Sequence, residues 1–404
     1  MTPMPRTMQT GSFRWMKSIN KSIILNVIRE KGPIPRAEIA KVTQLTPPTV
    51  TNIVGELLDA GIVVESDLGE STGGRKPILL RINASAFSVI GVYAGVDKIR
   101  AMSADLDGNL EGEAEVPIPP NPDRSFYIRS IIDTIHQLAA PIHHSGRPLL
   151  GIGVGMSGWV DHEQGISLSC PSLNLRNIPL RDLLEREFSV PVEVENGVRT
   201  LAMGESWFGE GREIADFICV HIGNEVNAAF VKEHSLVYSP SFTAGELGHT
   251  TVDIEGPLCG CGNRGCLEVF GSSVAMVRRA QEGLDQGVIS SLNHHEGPLS
   301  ERVLFEAARE GDEFARAVLV DTGRYLGIGL ANIVNLFNPR RIILCGDLIS
   351  EVPYVLHSLQ ETVEQRALAT PVADVTIVPA GLGRNGGPMG AVTLVLMKLF
   401  QPQH

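Results

Sequence analysis

A histidine and three cysteines carry the strongest chemical signal in the chain. The segment Cys259-Gly-Cys261-Gly-Asn-Arg-Gly-Cys266 follows closely after His249. Three thiolates and one imidazole suit a tetrahedral zinc ion, and the glycines let a short loop wrap around it. Because these four side chains would fill every coordination position, the loop at 249–266 predicts structural zinc without a metal-activated water. The alternative is a set of buried free cysteines.

The composition is that of a globular chain without a membrane anchor. Of its 404 residues, 43% are hydrophobic and 20% are charged, which is enough for the cores of two or three domains. The chain contains no run of 18 apolar residues, so no transmembrane helix is predicted. The N-terminus lacks the apolar segment of a signal peptide. We therefore expect a cytoplasmic protein in which Cys170, Cys219 and Cys345 are isolated core residues.

Charge is distributed unevenly along the chain. Residues 1–82 carry 11 Lys and Arg against 7 Asp and Glu, a net charge of +4. Residues 83–404 carry 23 basic and 39 acidic side chains, a net charge of −16. A basic head on an acidic body predicts that the head meets a polyanion and that the body does something else.

The basic head, residues 1–82, has the pattern of a DNA-binding module. Three short helices are predicted at 21–31, 36–42 and 46–58, with a tight turn before the third. Thr46 and Pro47 suit the start of that helix. Two short helices joined by a tight turn predict a helix-turn-helix. The polar side chains that the third helix offers to DNA are Thr46, Thr49, Thr51 and Asn52.

A hairpin after the third helix completes the module as a wing. Strands are predicted at 62–65 and 78–82, and the loop between them carries Arg75 and Lys76 next to two glycines. These cations would contact phosphates or the minor groove. The alternative for the head is a helical bundle that contacts protein.

The body, residues 83–404, alternates strands and helices in an order that occurs twice. Three strands precede helix–strand units in 87–194, and a second set of strands begins at 217. This order predicts two α/β lobes with a cleft between them, where small ligands commonly bind.

The motifs around the cysteines resemble those of a known family. Gly245-Glu246-Leu247-Gly248-His249, followed by Cys-x-Cys-Gly-x-x-Gly-Cys-Leu-Glu ending at Glu268, is similar to the sugar and zinc signature of the ROK family of repressors and sugar kinases. The resemblance covers nearly the whole chain, including a winged head found on the repressor branch. It implies an actin-like, hexokinase-like two-lobed fold and a homodimer or tetramer.

The resemblance also implies a ring of side chains around a bound sugar. In the kinases of the family the zinc-binding histidine also contacts the sugar. Amides and carboxylates can bond vicinal hydroxyls. The alternatives are a turn role for Asn174, a strand-end cap for Asn196 and surface positions for both carboxylates. The implied sugar ligands are Asn174, Asn196, Glu246, His249 and Glu268.

Three parts of the family's phosphotransfer apparatus are missing. Tyr93 replaces the Asp of the motif that holds ATP phosphate, and Val96 and Asp97 replace small residues beside it. The second phosphate loop has lost most of its glycines and contains Glu225. Gly197 stands in place of the general-base Asp, a loss typically worth roughly 10²–10⁴-fold in rate. The chain is therefore predicted not to be an enzyme.

These observations favour a sugar-responsive transcriptional repressor of carbohydrate uptake or catabolism genes. The head would bind operator DNA, and a sugar or sugar phosphate in the body would change that binding. One alternative is a sugar kinase with an accessory DNA-binding domain, which needs an acidic residue at 197 and intact phosphate loops. Another is a scaffold whose body binds a protein partner.

Overall fold

The computed structural model describes residues 13–68 and 77–401. The predicted head folds as three helices and a small sheet, and its first helix begins eight residues earlier than the apolar spacing indicates. Thr46 caps α3 by accepting a hydrogen bond from the Thr49 amide, and Gly61 has a φ of +70° after the helix. The sheet has the strand order β1-β3-β2. The elements are α1 (Phe13–Lys31), β1 (Ile34–Pro35), α2 (Arg36–Thr43), α3 (Pro47–Asp59), β2 (Val63–Leu68) and β3 (Ile78–Ile82).

The first lobe is built on a five-stranded sheet of order β11-β7-β4-β5-β6. Three strands form an antiparallel meander, and two more pair in parallel beside the first of them. Three short strands form a second sheet of order β10-β9-β8. The elements are β4 (Ser88–Ala94), β5 (Lys98–Ala104), β6 (Leu110–Pro117), α4 (Arg124–Ser145), β7 (Leu149–Met156), β8 (Trp159–Asp161), β9 (Ile166–Cys170), β10 (Leu175–Ile178), α5 (Leu180–Phe188), β11 (Val192–Asn196) and α6 (Gly197–Phe208).

The second lobe repeats this topology in a sheet of order β14-β13-β12-β15-β16. An antiparallel meander again receives two parallel strands beside its first strand. The predicted duplication of element order is therefore a duplication of topology. The elements are β12 (Phe217–Ile222), β13 (Val226–Lys232), β14 (Ser235–Leu236), α7 (Glu268–Gly271), α8 (Ser273–Asp285), α9 (Glu301–Glu310), α10 (Glu313–Phe337), β15 (Arg341–Cys345), α11 (Asp347–Glu351), α12 (Pro353–Arg366), α13 (Ala369–Asp374) and β16 (Thr376–Pro379).

Helix α10 is long and apolar enough to cross a membrane by length and composition alone. Its most apolar stretch has a mean hydropathy of 1.2, but 61% of that stretch is buried inside the protein. Leu319, Leu326 and Leu330 belong to the core of the second lobe. The helix therefore has the burial of a core helix.

The last helix, α14 (Gly386–Phe400), returns to the first lobe and packs closely on its sheet. A Cβ atom at Gly153 would lie 1.8 Å from the carbonyl oxygen of Ala391, so only glycine allows this approach. The far end of α14 reaches the head, where the Asn26 amide donates to the Phe400 carbonyl at 2.9 Å.

The head and the first lobe share one apolar core. Ile24 and Ile28 of α1 lie in the same buried cluster as Val392 and Leu396 of α14. The guanidinium carbon of Arg29 lies 3.9 Å from the ring centroid of Trp207, near the end of α6. The head is therefore packed onto the body along α1.

Candidate functional site

The predicted metal ligands come together in one cluster. The ligand atoms of His249, Cys259, Cys261 and Cys266 all lie within 4.8 Å of one another. Two sulfur atoms, those of Cys261 and Cys266, are 3.7 Å apart, and the sulfur of Cys259 is 3.6 Å from Nδ1 of His249. Tetrahedral zinc bonds would separate two sulfurs by about 3.8 Å and a sulfur and a nitrogen by about 3.6 Å. The donor set and its spacing therefore fit tetrahedral zinc.

The loop backbone places these four side chains through short turns. The Cys259 amide donates to the Asn263 carbonyl at 2.7 Å, and the Asn263 side chain donates to the sulfur of Cys266 at 3.4 Å. At Gly265, φ is +64° and a Cβ atom would lie 1.4 Å from the Asp253 carbonyl oxygen. The cluster therefore depends on this glycine as well as on its four ligands.

The imidazole of His249 has two different neighbours. Its Nδ1 faces the cysteines, whereas its Nε2 lies 3.9 Å from a carboxylate oxygen of Glu246. A metal bound at Nδ1 would leave the hydrogen on Nε2, on the side of Glu246. One histidine can thus serve both the metal cluster and a ligand beside it.

The two predicted carboxylates are partly buried next to this histidine. Burial raises the pKa of Glu246, and a hydrogen bond from the Trp159 indole opposes that rise. This bond, 2.8 Å long, joins β8 of the first lobe to the second lobe. Burial also raises the pKa of Glu268, which accepts a bond from the Val226 amide at 3.4 Å. Trp159 was not predicted from the sequence, since a lone tryptophan in a short strand gives no signal of its own.

The two predicted asparagines lie on the first lobe. The Asn196 oxygen accepts from the amides of Val198 and Arg199 and so caps α6, and its nitrogen donates to the Gly158 carbonyl at 2.7 Å. The Asn196 amide therefore keeps one free hydrogen. Asn174 is exposed at a turn with φ of 52°, and its side chain has no hydrogen bond to any described residue.

A cavity of about 450 Å³ lies between the lobes. Asn196 lines it, as do Tyr93, Gly197 and Glu225, whereas the other four predicted sugar ligands do not. The structure therefore brings His249, Glu246 and Glu268 together in the second lobe, with the two asparagines across the cleft.

Gly197 and Tyr93 are in contact on the cavity wall. A Cβ atom at Gly197 would lie 3.1 Å from the hydroxyl oxygen of Tyr93, and one at Gly387 would lie 2.4 Å from its ring. The tyrosine ring thus occupies the space beside position 197 that a longer side chain would need. Two other acidic residues have different places: Asp161 ends β8 and accepts a bond from the Gln164 amide, whereas Asp347 opens α11 on the cavity wall.

In the head, the predicted DNA-binding side chains of α3 differ in their bonding. The hydroxyls of Thr46 and Thr49 are hydrogen-bonded to each other at 2.9 Å. Thr51 and Asn52 are exposed and make no side-chain hydrogen bond to any described residue. Arg75 and Lys76 lie outside the described residues.

The chain is similar to known regulators and kinases over most of its length. A winged helix-turn-helix DNA-binding model matches residues 19–64. A xylose repressor from Caldicellulosiruptor bescii is 31% identical over 394 residues, which are 96% of this chain and 98% of the relative. A crystal structure of a ROK family transcriptional regulator, a homolog of the E. coli MLC protein, has a TM-score of 0.85 at 27% identity and covers 96% of this chain and 97% of that one.

A ROK family glucokinase from Streptomyces griseus, in complex with glucose and AMPPNP, has a TM-score of 0.68 at 29% identity and covers 76% of this chain and 98% of that one. The fold class is therefore a winged helix-turn-helix followed by the two-lobed actin-like and hexokinase-like domain, as predicted. The ROK family model matches residues 89–398. The chain belongs to the ROK family.

Proposed function

We propose that this chain is a transcriptional repressor of carbohydrate uptake or catabolism genes, controlled by a sugar bound between its lobes. The observation that carries the proposal is the similarity, over 96% of the chain, to a protein named xylose repressor. That span includes the head as well as the body. The protein would act in the cytoplasm as a homodimer or tetramer, with residues 1–82 on operator DNA and residues 83–404 as the sensor.

Structural zinc would organise the sensor site. His249, Cys259, Cys261 and Cys266 would hold the ion, and its charge would keep Nδ1 of His249 deprotonated. The Nε2–H group then donates to a sugar hydroxyl, and the ring orientation is fixed by the metal bond. The Glu246 carboxylate, 3.9 Å from Nε2, accepts from a neighbouring hydroxyl.

Asparagines of the first lobe and Glu268 of the second would complete the sugar site. Asn174 offers a free amide, and Asn196 offers the one amide hydrogen that its cap to α6 leaves. A sugar that bonds both lobes would set the angle between them. This supports a sensor, because ligand binding then changes the shape of the body.

The body would not catalyse phosphate transfer. Gly197 provides no carboxylate to accept a proton from the sugar, and Tyr93 fills the space beside it. A kinase with an accessory head needs a general base within hydrogen-bond reach of the reacting hydroxyl. Because no such group is present at position 197, sensing is the better supported function.

The DNA-binding side chains fall into two groups with different expected effects. Asn52 and Thr51 on α3, with Thr46 and Thr49 at its start, would face the major groove, whereas Arg75 and Lys76 would contact phosphates or the minor groove. We expect Arg75→Ala to weaken binding to all sequences and to lower the salt slope by about one, since one phosphate contact is lost. Asn52→Ala should change the base preference at one operator position.

Binding measured at several salt concentrations, on operator and random DNA, separates these effects. Lys41→Ala is the control, because it removes one exposed charge from α2 and leaves the sequence of α3 and of the wing unchanged. Unchanged DNA affinity of the Arg75→Ala variant at every salt concentration would show that the wing does not contact DNA.

Helix α6 connects the sugar site to the head. It begins at the cap residue Asn196 and ends beside Trp207, on which the Arg29 guanidinium is stacked at 3.9 Å. We expect Arg29→Ala to keep both sugar binding and DNA binding but to reduce the sugar-dependent change in DNA affinity by about tenfold. The measurement is DNA affinity with and without saturating sugar. Lys31→Ala is the control, because it changes an exposed residue of α1, the helix that also contains Arg29, and it should keep the full response. A full response in both variants would contradict a connection through α6.

The proposed function as a whole is tested by a screen with sugars and operator DNA. Operator sequences are first selected from random DNA with the full-length protein. A sugar that prefers the DNA-free form should raise the unfolding temperature and weaken operator binding. Failure to select any sequence from random DNA would contradict the proposal.

A further inference from the structure

Glu225 lies on the wall of the cleft, beside the place where the proposed function puts the sugar. It lies in the turn between β12 and β13 of the second lobe and accepts a hydrogen bond from the hydroxyl of Ser172 in the first lobe. The Asn227 side chain donates to its other oxygen at 3.4 Å. Ser172 is two residues before Asn174. The Glu225 carboxylate therefore borders the proposed sugar site and lines the cavity beside it.

The charge of Glu225 reaches the carboxylates of the sugar site. Glu246 of the same lobe lies 3.9 Å from Nε2 of His249. Glu268 accepts a hydrogen bond from the amide of Val226, the residue after Glu225. The charge of Glu225 also adds to the rise in the pKa of Tyr93, which is mainly caused by burial. Three carboxylates thus lie within electrostatic range of one another on the same side of the cleft.

The basic side chains on the cavity wall do not offset this charge. Burial lowers the pKa of His221, which disfavours the charged form of its imidazole. Each of the four lysine and arginine side chains is paired, with nitrogen–oxygen distances of 3.7 Å for Lys98 and Asp97, 3.0 Å for Arg100 and Glu115, 2.7 Å for Arg302 and Glu306, and 3.4 Å for Arg384 and Glu113.

The first amides of α6 are not available to an anion on this wall either. The first free amides of α6, those of Val198 and Arg199, already bond the Asn196 side chain. Arg199 itself is buried and paired with Glu195 at 3.4 Å. A phosphate is normally bound by arginine, lysine or an open helix N-terminus. On the described part of this wall, the four lysine and arginine side chains and the first amides of α6 already have partners.

We infer that the effector is an uncharged sugar and that Glu225 excludes the phosphate ester of the same sugar. This inference rests on the proposed function, because it concerns the ligand of the proposed site. Hydroxyl groups can bond the carboxylates without an electrostatic penalty, whereas a phosphate dianion would lie close to them in a partly dehydrated cleft. Glu225 is thus a residue that determines specificity, and it does not need to contact the sugar itself.

The test compares sugars with their own phosphate esters by calorimetry on the full-length, zinc-loaded protein. The probes are glucose, xylose and N-acetylglucosamine, each with its terminal phosphate ester. We expect one uncharged sugar to bind at least about tenfold more tightly than its ester. Glu225→Gln should reduce that ratio by about tenfold, mainly by improving binding of the ester.

Two further variants separate charge from structure. Glu233→Gln removes a carboxylate from the β13–β14 turn, outside the cleft, and should leave the ratio unchanged. Ser172→Ala removes the hydrogen bond across the lobes but keeps the charge, so the ratio should persist. An ester that binds as tightly as its sugar, or an unchanged ratio in Glu225→Gln, overturns the inference and leaves the proposed function standing. If neither form of any probe binds, both the inference and the sugar-sensing function fail.

Discussion

Replacing Cys261 by serine should abolish the response to sugar while operator binding persists. A hydroxyl is a poor substitute for a thiolate on zinc, and the loop would lose the ion that fixes the His249 ring. The Nε2–H donor of His249 and the carboxylates of Glu246 and Glu268 would then no longer be held in place. Sugar binding should therefore weaken by roughly 100-fold or more. The head packs on α14 and the first lobe, whereas the metal loop belongs to the second lobe, so the contact of the head with DNA should remain.

Metal content and sugar affinity must be measured on the same samples. Mass spectrometry gives the zinc content, calorimetry gives the sugar affinity, and fluorescence anisotropy gives the operator affinity. Cys170→Ala is the matched control, since Cys170 is a buried cysteine outside the cluster, and it should keep both zinc and sugar binding. A zinc-free Cys261→Ser protein with unchanged sugar affinity would show that the metal does not organise the site.

No sugar-dependent ATP turnover is expected, even at saturating hexose. Removal of a general base alone costs roughly 10²–10⁴-fold, and Tyr93 in addition fills the space beside Gly197. An ordinary enzyme turns over about once per second or faster, and we expect release of ADP to stay at least about 100-fold below that rate. The measurement is a coupled assay with the effector sugar and several hexoses.

A contaminating host kinase is the main source of a false signal in this assay. Asn196→Ala changes the proposed sugar site without affecting a contaminant, so activity that is equal in both preparations does not belong to this chain. Turnover of about one per second that disappears in Asn196→Ala would establish a kinase. In that case a group other than residue 197 would have to act as the general base.

Local patterns in the sequence were sufficient for the elements and for the metal loop. Apolar residues at helical spacing predicted the head helices, and the strand Ile78–Ile82 was predicted with its observed ends. The zinc ligands are close in sequence, so a short loop brings them together whatever the rest of the chain does. The resemblance in the motif at Glu246 and Glu268 then indicated the family and the two-lobed fold.

Helix α6 was not predicted, and the structure shows the reason. All residues from Gly197 to Ser206 are buried, including the polar Arg199, Thr200 and Glu205, so this part of the helix has no solvent-exposed polar face of the usual kind. Its first residue is glycine, a poor helix former. The strands β8–β10, which position Trp159 and Asn174, have at most five residues each and contain too few alternations to be read as strands.

The sequence by itself determined the parts of this protein, namely a winged head, two α/β lobes of one family and a metal loop. Each of these depends on spacing within a few dozen residues. The tertiary structure alone decided how the parts meet: Trp159 on Glu246 across the cleft, Ser172 on Glu225, and Arg29 on Trp207 at the base of the head. Such contacts join residues that are far apart in the chain. They form when the apolar faces of separate helices and strands are buried together. The spacing of apolar residues along the chain does not indicate which faces will pack against each other.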